Sequence, residues 1–166
     1  GMQHADGEIL AAQAAEAFGI PFSLSTMSIC SIEDVAANTR RPFWFQLYVM
    51  RDRVFIENLI ARARAAKCSA LVLTLDLQVL GQRHKDLRNG LSAPPKFTPK
   101  HLWQMAIRPR WCLGMLGTKR RTFGNIVGHA RNVGDLSSLS SWTREQFDPR
   151  LSWKDVEWIK EKWGGK

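Results

Sequence analysis

Three cysteines, one tyrosine and no long apolar run set the first limits on this 166-residue chain. Cys30, Cys68 and Cys112 are odd in number and widely spaced, with no Cys-x-x-Cys pair, so they offer neither a disulfide framework nor a zinc site. They read as small buried hydrophobes of a protein kept in a reducing compartment. No stretch of about eighteen apolar residues occurs, so no spanning helix is expected, and the start lacks a basic segment followed by an apolar run, so no secretory signal is expected. Acidic residues are missing from one long stretch. Between Leu87 and Gly134 there is no Asp or Glu, and nine basic residues stand there: Arg88, Lys96, Lys100, Arg108, Arg110, Lys119, Arg120, Arg121 and Arg131. That segment alone accounts for the formal net charge of +9, leaving the rest of the chain close to neutral.

What is present is patterned. At 45% hydrophobic, the chain has material for one sizeable core or for part of a larger domain. Residues 22–26, 43–49 and 70–76 are rich in aromatic and branched apolar side chains and read as strands. Between and around them lie helix signals. Residues 7–17 are alanine-rich and stop at Phe18-Gly19 before Pro21, Ser31-Ile-Glu-Asp34 has the form of a helix start, and Asp52 caps a segment in which Phe55, Ile56, Leu59, Ile60 and Ala63 recur at helical spacing. Strands starting about 21 and 27 residues apart, each pair separated by one helix, are the signature of parallel β/α units. The near-continuous apolar run from Ala70 to Leu75 predicts a strand covered on both faces. After Asp76 the rhythm breaks into a long excursion, residues 77–135, punctuated by prolines and glycines, with short helices expected near Leu102 to Ile107. A capped helix returns over Ser152–Trp163, with Val156, Ile159 and Trp163 on one side.

Side-chain alternation gathers polar groups at the strand ends. Phe43, Phe45, Leu47 and Val49 share one face of the second strand, leaving Gln46 and Tyr48 on the other; Thr74 and Asp76 share a face of the third. Parallel β/α folds place ligands and chemistry at the carboxyl ends of their strands, so Ser25, Gln46, Tyr48, Thr74 and Asp76 form a candidate site.

The segments Phe22-Ser-Leu-Ser-Thr-Met-Ser28, Ser31-Ile-Glu-Asp-Val-Ala36, Trp44-Phe-Gln-Leu-Tyr-Val-Met-Arg-Asp-Arg53, Leu73-Thr-Leu-Asp76 with Gly81-Gln-Arg83, and Leu151-Ser-Trp-Lys-Asp155 resemble the FMN-dependent L-2-hydroxy acid dehydrogenases and oxidases. Arg41-Pro-Phe-Trp-Phe-Gln46 and Gln146-Phe-Asp-Pro149 are most similar to the bacterial respiratory L-lactate dehydrogenases. The resemblance runs in order over nearly the whole chain and is weakest in residues 77–135 of the expected 1–166 barrel portion. It implies an α/β fold, part of a (β/α)8 TIM barrel, with these segments as strands two, three and four and the long excursion following strand four. It implies FMN as cofactor, with Ser25, Gln46 and Thr74 at the flavin ring. Tyr48 matches a substrate-contacting tyrosine, Asp76 the carboxylate that pairs with the catalytic histidine, and Arg83 an arginine beside the substrate. The family's catalytic histidine, its substrate-carboxylate arginine and its FMN phosphate site correspond to positions beyond Lys166, and its first strand to positions before Gly1, so the chain is expected to be an internal fragment, inactive alone. The implied reaction is oxidation of L-lactate to pyruvate, with electrons passed to a quinone, cytochrome or oxygen. A homo-oligomer would fit the full-length protein, on the cytoplasmic face of the inner membrane or free in the cytoplasm.

Each feature also has a plainer explanation. Asp76 could cap nearby backbone, Gln46 could satisfy buried backbone groups, and Ser25 and Thr74 could bond locally. His4, His84, His101 and His129 lack partners at useful spacing and read as surface or structural groups, with no metal site expected. Trp153, Trp158 and Trp163 read as packing groups. The basic 87–134 segment admits a solvated loop, a nucleic-acid surface without any recognisable motif, or a membrane surface in which Trp103, Met105, Ile107, Trp111, Leu113, Met115 and Leu116 supply apolar contact. A non-catalytic interaction module built on this segment is the alternative to an enzyme.

Overall fold

Alternation in the sequence becomes alternation of burial on the middle strand. Phe43, Phe45, Leu47 and Val49 are all buried, whereas Trp44 is exposed and Gln46 and Tyr48 are half-buried on the opposite face. The computed structural model describes residues 1–75, 84–88, 98–130, 133–134, 142, 145–146 and 150–166, so Asp76 and Arg83 lie outside the described residues.

Strands β1 (Ser23–Ser25), β2 (Trp44–Tyr48) and β3 (Ala70–Thr74) form a parallel sheet in the order β1-β2-β3. Leu24, Phe45 and Leu71 stand in register and point to the helices; Ser25, Gln46 and Val72 stand in register one residue further on and therefore face the other way. Helices α1 (Gly7–Phe18), α2 (Ile32–Asn38) and α3 (Arg53–Ala65) lie between the strands in sequence. Their ends carry the expected signals. Gly19 takes the left-handed conformation (φ 71°) that closes α1, Ser31 and Asp34 form a reciprocal capping box on α2, and the Asp52 carboxylate accepts from the Phe55 amide at 3.0 Å. The residues of α3 predicted to face inward, Phe55, Ile56, Leu59, Ile60 and Ala63, are the ones buried.

The core lies on one face of the sheet, where Ile9, Ala12, Ile32, Val35, Phe45, Leu47 and the α3 stripe meet Ile159 and Trp163 of α7 (Trp153–Trp163, the last helix). The basic segment contributes α4 (His84–Arg88), α5 (Pro99–Ala106) and α6 (Pro109–Gly117), the last two opened by a proline at their first turn. Two expectations need correction. β3 is half-buried along its whole length rather than covered on both faces: Leu71 and Leu73 pack only partly against the core, and Val72 and Thr74 stand beside Gln46 and Tyr48 on the open face. Trp153 is 80% exposed rather than packed: the first turn of α7 overhangs the sheet end and borders a recess of about 250 Å³ with Val49, Leu75 and Leu151. Trp158 and Trp163 do pack, the former beneath the Arg53 guanidinium at 5.0 Å.

Candidate functional site

Three predicted residues join into a hydrogen-bonded row across the open face of the sheet. The Ser25 hydroxyl donates to Gln46 Oε1 at 2.9 Å, and Gln46 Nε2 donates to Thr74 Oγ1 at 2.6 Å. All three are half-buried. Each side chain reaches this row because parallel register puts Ser25 opposite Gln46 and Thr74 opposite Tyr48, one pleat further along. Tyr48 occupies the same face of β2 as Gln46, two residues nearer the carboxyl end, and is half-buried.

The row has capacity to spare. A primary amide offers two donor hydrogens and two acceptor lone pairs, and Gln46 uses one of each within the row. Among the described residues, one N–H and one lone pair have no partner. The pyrimidine edge of an isoalloxazine alternates carbonyl acceptors with an N–H donor, so an amide flanked by two hydroxyls matches its chemistry, and these residues fit FMN.

The structure adds residues that local patterning did not reveal. Thr26 is fully buried, its hydroxyl donating to the Gln46 carbonyl at 2.7 Å and accepting from the Tyr48 amide at 3.3 Å, so a side chain prolongs the β1–β2 ladder past the last residue of β1. Asn125, in the turn after α6, is also fully buried and reaches the β1–α2 connection. Arg62 grips Glu33 through two contacts of 2.7 Å and donates to the Asn125 carbonyl at 3.2 Å. The Arg62 hydrogen bond pulls the Glu33 carboxyl down to about 2, against the opposing effect of burial. Arg120 bridges Asp6 at 3.1 Å and Asp34 at 2.7 Å, so this member of the basic cluster holds the segment to α2 and the chain start rather than facing solvent freely. Nothing in the local sequence distinguishes Gly124-Asn125 from an ordinary turn.

The remaining groups behave as background. Burial pushes the Cys30 thiol up to about 11 and the Cys68 thiol up to about 12, so neither is a nucleophile. Burial lowers the His129 imidazole, where the Arg62 charge acts in the same direction. No helix among the described residues is long and apolar enough to cross a membrane. The basic segment does leave large apolar side chains in solvent: Leu102, Trp103, Ile107, Leu113 and Leu116 are each more than half exposed.

A parallel β/α sheet with a row of amide and hydroxyl groups toward the carboxyl ends of its strands is the arrangement found in β/α barrels and in open doubly wound sheets alike. Comparison with known proteins is specific. The family model described as FMN-dependent dehydrogenase matches residues 1–166, and the chain belongs to that family. Among solved structures, it is similar to the monotopic membrane protein (S)-mandelate dehydrogenase at 31% identity and a TM-score of 0.86, over 97% of this chain and 42% of that one. It also matches a mandelate oxidase solved with (S)-4-hydroxymandelic acid at 30% identity and a TM-score of 0.61, over 93% of this chain and 37% of that one. Pediococcus acidilactici lactate oxidase, at 23% identity and a TM-score of 0.61 over 95% of this chain and 34% of that one, shares the fold. The chain thus spans less than half the length of these proteins and is an α/β portion of a TIM barrel of FMN-dependent 2-hydroxy acid enzymes.

Proposed function

We propose that the protein to which this chain belongs oxidises an L-2-hydroxy acid, L-lactate to pyruvate, with this chain supplying the ring-facing strand ends. The observation that supports this reading is the Ser25–Gln46–Thr74 row, which leaves a donor and an acceptor of Gln46 free of partners among the described residues and so available to a ligand. Lactate is favoured over larger hydroxy acids by the resemblance of residues 41–46 and 146–149 to respiratory lactate dehydrogenases. When bound, FMN supplies the electron acceptor for oxidation at the substrate's α-carbon. Ser25, Gln46 and Thr74 orient the cofactor by hydrogen bonds to its polar edge. Tyr48 offers a hydroxyl to the substrate, and Arg83 a cation beside it. Asp76 fixes the tautomer of the family's histidine base and stabilises the imidazolium formed as that base takes the hydroxyl proton.

The exposed face of α5 and α6 suits an anionic lipid surface. Trp103, Ile107, Leu113 and Leu116 offer apolar contact, and the exposed cations Lys100, Arg108 and Arg110 stand beside them in sequence. The (S)-mandelate dehydrogenase it resembles is described as a monotopic membrane protein. A quinone within such a surface would be a convenient electron acceptor.

Steady-state oxidation of L-lactate by the FMN-loaded full-length protein tests the assignment. Asp76→Asn should lower kcat by at least a hundredfold while leaving the affinity for FMN within a few-fold, because it removes the charge that stabilises the imidazolium. An unchanged kcat would return Asp76 to a capping role. The 166-residue chain alone should take up FMN weakly and show no turnover, since the family's phosphate-holding residues and base have no counterpart in it.

A further inference from the structure

The Asn125 side chain makes four polar contacts, three of them to the connection between β1 and α2 and the fourth to Arg62 of α3. Its Oδ1 accepts from the Ile32 amide at 2.9 Å and from Arg62 Nη2 at 3.3 Å, and its Nδ2 donates to Ser28 Oγ at 3.0 Å and to the Ser25 carbonyl at 3.3 Å. The hydrogen-bonding capacity of the carboxamide is therefore filled, in a side chain with no exposure to solvent. The preceding residue is shaped for the same purpose. The Gly124 amide donates to the Ile29 carbonyl at 3.1 Å, and a Cβ on Gly124 would stand 2.7 Å from that oxygen and 2.9 Å from the Ser31 nitrogen. Only a glycine lets the backbone come this close.

We propose that Asn125 is a positioning residue for the flavin-facing end of β1: it fixes the Ser25–Ile32 turn so that Ser25 meets the ring edge at a set distance. This rests on the reading of Ser25 as a flavin contact. Ser25 is held from two sides. Its hydroxyl donates to Gln46 and accepts from the Met27 amide at 3.1 Å, while its carbonyl is held by Asn125. Ser28 completes the turn, its own hydroxyl donating to the Cys30 carbonyl at 2.7 Å. Arg62, itself clamped by Glu33, braces Asn125 from behind. No other side chain of this size presents two donors and two acceptors in that geometry. Aspartate keeps the acceptors for Ile32 and Arg62 but loses both donors and turns a negative charge on the Ser25 carbonyl.

Hydrogen exchange on the 166-residue chain, followed residue by residue, separates the two halves of this clamp without any cofactor. Asn125→Asp should leave the Ile32 amide as protected as in the wild type but speed exchange of the Met27 amide by about ten- to a hundredfold, whereas Asn125→Ala should speed both. If Asn125→Ala does not fold, Ser28→Ala serves instead, removing one partner of Nδ2 and speeding Met27 exchange without affecting Ile32. In the FMN-loaded full-length protein, Asn125→Asp should shift the visible flavin absorption bands and raise the Kd for FMN about tenfold, effects that a merely structural residue would not produce at constant Tm. Unchanged Met27 exchange in both Asn125→Asp and Ser28→Ala overturns the clamp. Faster Met27 exchange with an unaltered flavin spectrum overturns its positioning role. Absence of FMN uptake by the wild-type full-length protein would instead sink the proposed function, and with it the premise that Ser25 faces a flavin.

Discussion

Gln46→Leu separates a ligand-facing residue from a structural one on the same strand. The substitution removes the hydrogen bonds to Ser25 and Thr74 but keeps the side chain's approximate volume. A hydrogen bond contributes a net ~0.5–1.5 kcal/mol, and because Ser25 and Thr74 are half-buried, water can satisfy their freed hydroxyls, so the loss should fall at the low end, about 1 kcal/mol in all. The adjacent residue sets the contrast. Phe45 is fully buried against the helices, and Phe45→Ala should cost about 3–5 kcal/mol. Urea denaturation of the two variants reads both numbers from the shift in midpoint at constant slope. In the FMN-loaded full-length protein the ranking should reverse in meaning: Gln46→Leu removes contacts to the ring edge, which at ~1–3 kcal/mol weakens FMN binding by about ten- to a hundredfold. A loss of stability above about 3 kcal/mol would make Gln46 a core residue. Unchanged FMN affinity would remove it from the site.

Two further outcomes test features away from the row. Lys67 is exposed and adopts a left-handed conformation (φ 58°) after α3, so Lys67→Gly should stabilise the chain by about 1 kcal/mol and raise Tm by several degrees; a lower Tm would mean the lysine stem makes a contact that outweighs its backbone strain. Replacing Trp103 and Leu113 by Ala with Lys100 and Arg108 by Gln should release the full-length protein from anionic vesicles, each cation contributing about 1 kcal/mol, while dye-linked turnover persists; identical sedimentation of variant and wild type would make the face an ordinary solvated surface.

The strands and the helices between them were legible because each is written in a local period. Phe43, Phe45, Leu47 and Val49 alternate, the α3 residues recur every three or four positions, and the capping boxes at Ser31 and Ser152 follow from side chains three residues apart. The Ser25–Gln46–Thr74 row was legible for the same reason, since parallel strands with one polar face bring those residues together. The basic segment was legible only in part. Short helices near Leu102 are present, but α6 was not foreseen, although Pro109 marks its first turn. The contacts of Arg120 and Asn125 were not legible at all. Their partners, Asp6, Asp34, Ser25 and Ile32, are distant in sequence, and no period along the chain encodes a contact at that range.

Those separations bear on how the chain tolerates change. Side-chain contacts within the sheet close loops of 21 and 28 residues, whereas Asn125 reaches Ile32 across 93 and Arg120 reaches Asp6 across 114. Closure entropy grows only with the logarithm of loop length, so moving from 28 to 93 residues costs about 1 kcal/mol and each further doubling about 0.6 kcal/mol. The chain between Arg83 and Thr118 can therefore change length at an entropic cost of a few tenths of a kcal/mol, provided Trp111, Thr118, Arg120, Gly124 and Asn125 keep their partners. The exposed side chains of α5 and α6, Leu102, Trp103, Ile107, Leu113 and Leu116, are free to be rewritten for whatever surface they meet. The short anchor behind them is not.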